Sequence, residues 1–544
     1  MLCDLPDDVL GLVLRAAAAV RPGDLRVLKR SLPLLAVCRR WRRLALGAVY
    51  GTVELCTGTD DEDGDAGGGK ATELDLVASA GCVQAVRRLV VTARGPGDPL
   101  SALVQAVGGL RAVAGEWRGV GSLEIYCHLD MAPVGEEAAI PRYQDYIQAV
   151  SSALAATLPN VSRLAFAKQS YSPLIAEVYG RLVGLYGSQL RSLVMQHPAA
   201  IPAGTELRRL ERLEAGFDYD MPRRPLRVDP DTLRTLQLED WSLDRMCATF
   251  AADDGAREIR FGSLRRLDLS YGEERMAAAG DNAEHHHRRH PGAHAMALRF
   301  PRLETLYVAS ARSTYPVLER AVLPEHVDAI TISAGPELLR TVVSKLELPA
   351  TRAFTINILP GPDDNNNNNN GGGGGGGAEA PLAVACRVLS RARASEQLEL
   401  GVNDALDAVL PEHITCTGLT RLDVWPSVAI GTVLGLVRRL PRLEALRFMD
   451  VSLAGIGPLG LALEPPGGCL AEPFDTRIRT LAFCHVASAW APDPAALVAQ
   501  YLLLRIPTLT QFTMATAAAG LSLDGFVAAY SERYPHLLGV EITV

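Results

Sequence analysis

The feature that most constrains this chain is a six-letter phrase, L-x-x-L-x-L, that returns along its length. Clear instances are LRTLQL at 233–238, LRRLDL at 264–269, LETLYV at 303–308, LTRLDV at 419–424 and LEALRF at 443–448. Looser ones are VSRLAF at 161–166, LRSLVM at 190–195, VDAITI at 327–332 and LTQFTM at 509–514. The last four letters alternate apolar and polar, the period of a strand with one buried face. Between the phrases, AIGTVLGLVRRLP at 429–441 and YIQAVSSALAATLP at 146–159 place apolar residues at helical spacing. Counted on the fourth letter, Leu306, Ile330 and Phe354 are 24 residues apart, and so are Leu398, Leu422 and Leu446. A strand and a helix returning in fixed register predict a solenoid, because one such unit cannot bury its apolar face alone and a stack can.

The longer intervals have a compositional cause. Leu267 to Leu306 spans 39 residues and Phe354 to Leu398 spans 44. The first contains 271–298, with EHHHRRHPGAH, and the second contains 360–380, with six Asn followed by seven Gly. These segments, like TGTDDEDGDAGGGK at 57–70, hold too few apolar residues to offset the entropy of ordering and are expected to be flexible insertions.

The phrases resemble the leucine-rich repeat family. The resemblance implies an α/β fold, a right-handed horseshoe-like solenoid with strands on its concave face. It departs from the family where Asn or Cys usually follows the phrase. Trp241, Gly272, Ala311, Ser427 and Val451 stand there instead, so irregular repeats are expected. The residue between the last two apolar letters should face solvent on the concave side. That row is Gln237, Asp268, Tyr307, Thr331, Thr355, Glu399, Asp423 and Arg447, continued by Thr513, and its mixed polarity suits a protein ligand.

The amino-terminal stretch follows a different pattern. In DLPDDVLGLVL at 4–14, Asp4 offers a helix cap, Pro6 suits the first turn, and Asp7 and Asp8 sit where a helix dipole favours them. In AVCRRWRRLALGAV, Val37, Cys38, Trp41 and Leu44 share one arc at about 100° per residue, and Arg39, Arg40, Arg42 and Arg43 take the other. The order LPDDVLGLVL, VCRRWRRLA, VYGTVEL resembles an F-box, in the style common among fungal F-box proteins. It implies that Leu5, Pro6, Val9, Leu10, Val13 and Leu14, with Val37, Cys38 and Trp41, meet a Skp adaptor. The expected organisation is an all-helical module over 1–55, an acidic and Gly-rich linker over 56–78, and a solenoid over 79–544.

Other chemistries find little support. Against 62 acidic residues stand 54 basic ones, a net charge of −8, the wrong sign for a surface that tracks phosphates. No C-x-x-C pair occurs among ten cysteines, which points to reduced and mostly buried thiols. GDAGGGKA at 64–71 nearly spells a phosphate loop, but Ala71 stands where a hydroxyl must hold magnesium. Read as a calcium loop, DDEDGD places Lys70 where an acidic ligand belongs. His285, His286, His287, His290 and His294 lie in a Gly- and Arg-rich insertion without Cys support. The amino terminus is acidic where a secretory signal is basic, and no apolar run reaches a membrane span.

The expectation is therefore a non-enzymatic chain with no cofactor, no metal, no nucleic acid and no membrane among its partners, in the cytoplasm or nucleus. The resemblances imply the substrate-recognition subunit of a Skp/cullin/F-box ubiquitin ligase with an unknown protein target. The alternative is a ubiquitin-independent repeat scaffold whose amino-terminal helices cap the solenoid.

Overall fold

The computed structural model describes residues 51–57, 81–94, 99–128, 136–167, 172–195, 201–202, 204–216, 227–239, 241, 243–250, 257–271, 296–310, 316–335, 349–359, 396–402, 418–425, 427–453, 473–488, 494–514 and 523–543, with isolated positions between them. The chain is α/β, and its described residues fall into two compact units, the first reaching Leu264 and taking in Met296 and Ala297, the second holding the rest from Arg265 on.

In the first unit, the strands of the large sheet follow one another in chain order and pair in parallel. They are β1 (Thr52–Thr57), β2 (Arg88–Arg94), β3 (Ser122–His128), β4 (Arg163–Ala167), β5 (Ser192–Met195), β6 (Arg212–Ala215) and β7 (Thr235–Glu239). The register is one to one, so Val53, Leu89, Leu123, Leu164, Leu193, Leu213 and Leu236 form a continuous ladder. Every one of them is buried, as the fourth letter of the phrase requires. TVEL at 52–55, grouped with the amino-terminal module on sequence, lies in β1 and so belongs to this ladder.

Helices cover the inner face. They are α1 (Pro99–Val113), α2 (Glu136–Thr157), α3 (Pro173–Tyr186) and α4 (Leu243–Phe250). In α2 the expected spacing holds, with Ile147, Val150 and Leu154 buried along one stripe that Leu158 continues just past the helix end. At the start of α3, the Ile175 amide donates to Ser172 Oγ and Pro173 occupies the first turn. Its Tyr179 is fully buried against Phe166, and the phenol donates to the Val194 carbonyl at 2.6 Å, so helix and sheet are tied by a satisfied polar group.

The second unit repeats the scheme with β8 (Arg266–Tyr271), β9 (Thr305–Ser310), β10 (His326–Ala334), β11 (Ala350–Ile358), β12 (Gln397–Val402), β13 (Arg421–Val424), β14 (Ala445–Ser452), β15 (Thr480–Ala487), β16 (Gln511–Met514) and β17 (Glu541–Thr543). All pair in parallel with the next in chain order. Leu306, Ile330 and Phe354 are register partners, as their common spacing implies. The second triplet only half holds. Leu422 faces Leu446, but its other partner is Leu400 rather than Leu398. The strand has slipped by two residues, which preserves every side chain's face and so leaves the alternation untouched. Thr420 fixes the slip: its hydroxyl donates to the Leu398 carbonyl and accepts from the Leu398 amide, both at 3.0 Å. Helix α5 (Ile430–Arg439) precedes β14, α6 (Pro494–Arg505) precedes β16 and α7 (Leu523–Tyr530) follows it.

One backbone device recurs in both units. Before a strand, two successive amides donate to a single carbonyl at the start of the preceding strand. Gly121 and Ser122 donate to Arg87, Ser162 and Arg163 to Gly121, Glu444 and Ala445 to Thr420, and Thr510 and Gln511 to Arg479. Repetition of this detail, beyond the leucines, makes the architecture compatible with a repeat solenoid.

Candidate surface for a partner

The sheet face opposite the leucine ladders carries the polar side chains. In the first unit its central row is Glu54, Val90, Glu124, Ala165, Val194, Glu214 and Gln237. Most of its charge is matched locally. Arg88 grips Glu124 with Nε at 2.7 Å and Nη2 at 2.6 Å, and the Tyr126 hydroxyl donates to the same carboxylate at 3.1 Å. The hydrogen bond to Glu124 raises the Arg88 pKa, and burial followed by the Glu124 charge raises that of Tyr126. Arg212 pairs with Glu214 at 2.9 Å. A row so neutralised has little left to offer a charged ligand.

The second unit is less closed. Asp268, Tyr307, Thr331, Thr355 and Glu399 are register partners, so the structure brings together this part of the expected row. Asp268 is buried and bonded to Arg266 Nε at 2.9 Å, while Thr355 Oγ1 donates to Glu399 Oε2 at 3.3 Å. Because of the two-residue slip, Glu399 faces Arg421, whereas Asp423 and Arg447 fall in the neighbouring row beside Gly401 and Asn357. Thr513 continues that second row through Ala482. Gln237 lies in the first unit and is described with it.

Sequence reasoning missed Trp425. It follows β13 directly, two residues beyond Asp423, and is 47% exposed. The Arg447 guanidinium lies 6.0 Å from its ring centroid, within reach of a cation–π contact. The signal was available, since Trp425 has the same parity as Asp423 in LTRLDVW. Also missed was a polar row in which Asn357 Nδ2 donates to Ser333 Oγ at 3.0 Å. There Gly401 makes room for Asn357, because a Cβ at that position would meet Asn357 Oδ1 and force it to shift.

A cleft of about 400 Å³ opens in the first unit between α2, α3 and the residues Pro202, Gly204, Thr205 and Glu206. Arg181 on its wall donates to Gln144 and Gln148, and its buried Nε has no hydrogen-bond partner among the described residues. Burial raises the Glu177 pKa one turn earlier, and Arg181 opposes that rise. The lining contains no histidine or cysteine.

Among the described residues no cluster of His, Cys, Asp and Glu could hold a metal, and no helix is long and apolar enough to cross a membrane. Leu5, Pro6, Val9, Leu10, Val13, Leu14, Val37, Cys38 and Trp41, the glycine-rich 64–71 and the histidines of 285–294 lie outside the described residues. No family model matches the chain, and no curated protein matches it.

Proposed function

We propose that this chain is the substrate-recognition subunit of a Skp/cullin/F-box ubiquitin ligase, acting in the cytoplasm or nucleus. The segment 1–50 is the adaptor-binding module, with Leu5 to Leu14 and the Val37, Cys38 and Trp41 arc as the contact. An irregular leucine-rich-repeat solenoid follows and holds a target protein on its open sheet face. The chain works by positioning: it places the target near a ubiquitin-loaded partner enzyme and performs no bond chemistry itself. What carries the reading is the order of the two sequence patterns, an F-box-like stretch followed by L-x-x-L-x-L phrases. Their parallel, chain-ordered strands support the second of these.

The test is capture of a purified Skp adaptor by the full chain. Leu10→Ala or Trp41→Ala should weaken capture by roughly tenfold or more, the size of a truncated interface anchor. Neither substitution should alter the circular dichroism of the whole chain. Capture indifferent to both, or absent in the unsubstituted chain, removes the ligase reading.

A further inference from the structure

The second unit leaves an exposed indole beside a cation that pairs with no carboxylate among the described residues. Trp117 and Trp241 are at most 2% exposed, whereas Trp425 is 47% exposed. Trp and Arg are enriched among the few residues that carry most of an interface's binding energy. Arg447 leans over this ring, although Asp423 lies opposite it in register. Asp423 is taken by Arg421 at 3.2 Å, and Asp450 faces His485 at 3.5 Å. Among the described residues no carboxylate pairs with Arg447.

On the side of Arg447 away from Asp423 the neighbouring side chains are short or soft. Ala482 is the next register partner of Arg447, and Thr513 follows it. Cys484 Sγ lies 3.3 Å from Met449 Sδ, so a polarisable thiol and thioether border the same lane. The result is an aromatic wall, a cation with donors to spare, and a shallow lane from β13 across to β16. At about 4.8 Å per strand that lane is about 14 Å long, the reach of about four extended residues.

We propose that Trp425, Arg447, Met449, Ala482, Cys484 and Thr513 form a docking site for an extended, acidic segment of a partner protein. An apolar side chain of that segment packs on Trp425 and Met449. A neighbouring carboxylate takes the Arg447 guanidinium in a bidentate pair, the geometry that guanidinium favours. A lysine at the same place meets like charge. This rests on the target-binding half of the proposed function and needs nothing of the adaptor half.

The experiment uses the full chain and three fluorescein-labelled nine-residue peptides with one Leu-Phe core, flanked by Glu, by Gln or by Lys. By anisotropy, the Glu peptide should bind about tenfold tighter than the Gln peptide, and the Lys peptide more weakly still. Arg447→Glu should reverse the order, Arg447→Lys should keep it, and Trp425→Ala should abolish binding of all three. The Glu peptide at saturation should slow alkylation of Cys484 and leave exposed Cys56 unaffected. Three peptides that bind equally or not at all, a preference unchanged in Arg447→Glu, or Cys484 left unprotected would each overturn the site. Retained adaptor capture in the same samples separates that failure from failure of the ligase reading.

Discussion

At the scale of single residues, the largely aliphatic core also holds a few groups that burial alters chemically. Cys82 is 2% exposed, its thiol lies 3.5 Å from the Val77 carbonyl, and burial pushes its pKa up to about 11. Burial likewise raises the Tyr179 and Tyr186 phenols. In each case the folded chain holds its proton after the unfolded chain would release it. The associated stability is therefore complete below the unfolded pKa and is lost as pH rises through the folded one. For Cys82 that window runs from about 9 to 11. Urea unfolding followed from pH 8 to pH 10.5 should show stability falling with pH. Cys82→Ala, while costing something in packing, should remove on the order of 1–2 kcal/mol of that fall. An unchanged pH slope in the variant would show that Cys82 does not contribute.

At the scale of elements, the row Ser333, Asn357, Gly401 couples space to hydrogen bonding. Asparagine folds over the glycine and donates to the serine, so space and hydrogen bonding are satisfied together. Gly401→Ala should cost about 1–3 kcal/mol through overpacking. Combined with Asn357→Ala, the total should fall short of the sum by about 1 kcal/mol, because the second change removes the atom the new methyl meets. Strict additivity in a double-mutant cycle would show that the two side chains do not touch. The elements themselves were legible: all nine L-x-x-L-x-L segments contribute strands, and both helical stretches form helices. The pairing between β12 and β13 was not. A two-residue slip keeps Leu398, Leu400 and Leu422 all inward, so a period of two cannot register it. The candidate row inherited that blindness, and Asp423 and Arg447 therefore lie beside Gly401 instead of Glu399. Trp425 escaped notice because the phrase ends at Val424, although the alternation runs one residue further.

At the scale of the molecule, the question is what segment 1–50 does for the rest, and β1 decides where to cut. Val53 and Leu55 are buried at 2% and 7% exposure, and the Gly51 carbonyl accepts both the Arg87 and Arg88 amides. A chain starting at Gly51 keeps all of this. A chain starting at Gly58 loses two apolar side chains worth about 1.5–3 kcal/mol each, and leaves the edge of β2 unpaired on that side. On the ligase reading, the 51–544 chain should melt within a few degrees of the full chain yet no longer capture the adaptor. The 58–544 chain should melt distinctly lower and associate through its bared strand. The capping alternative predicts otherwise, since helices that seal a solenoid's apolar end are part of its stability. If 51–544 and 58–544 lose stability alike, segment 1–50 is a cap. If only 58–544 does, the ladder begins at β1 and stands without the segment ahead of it.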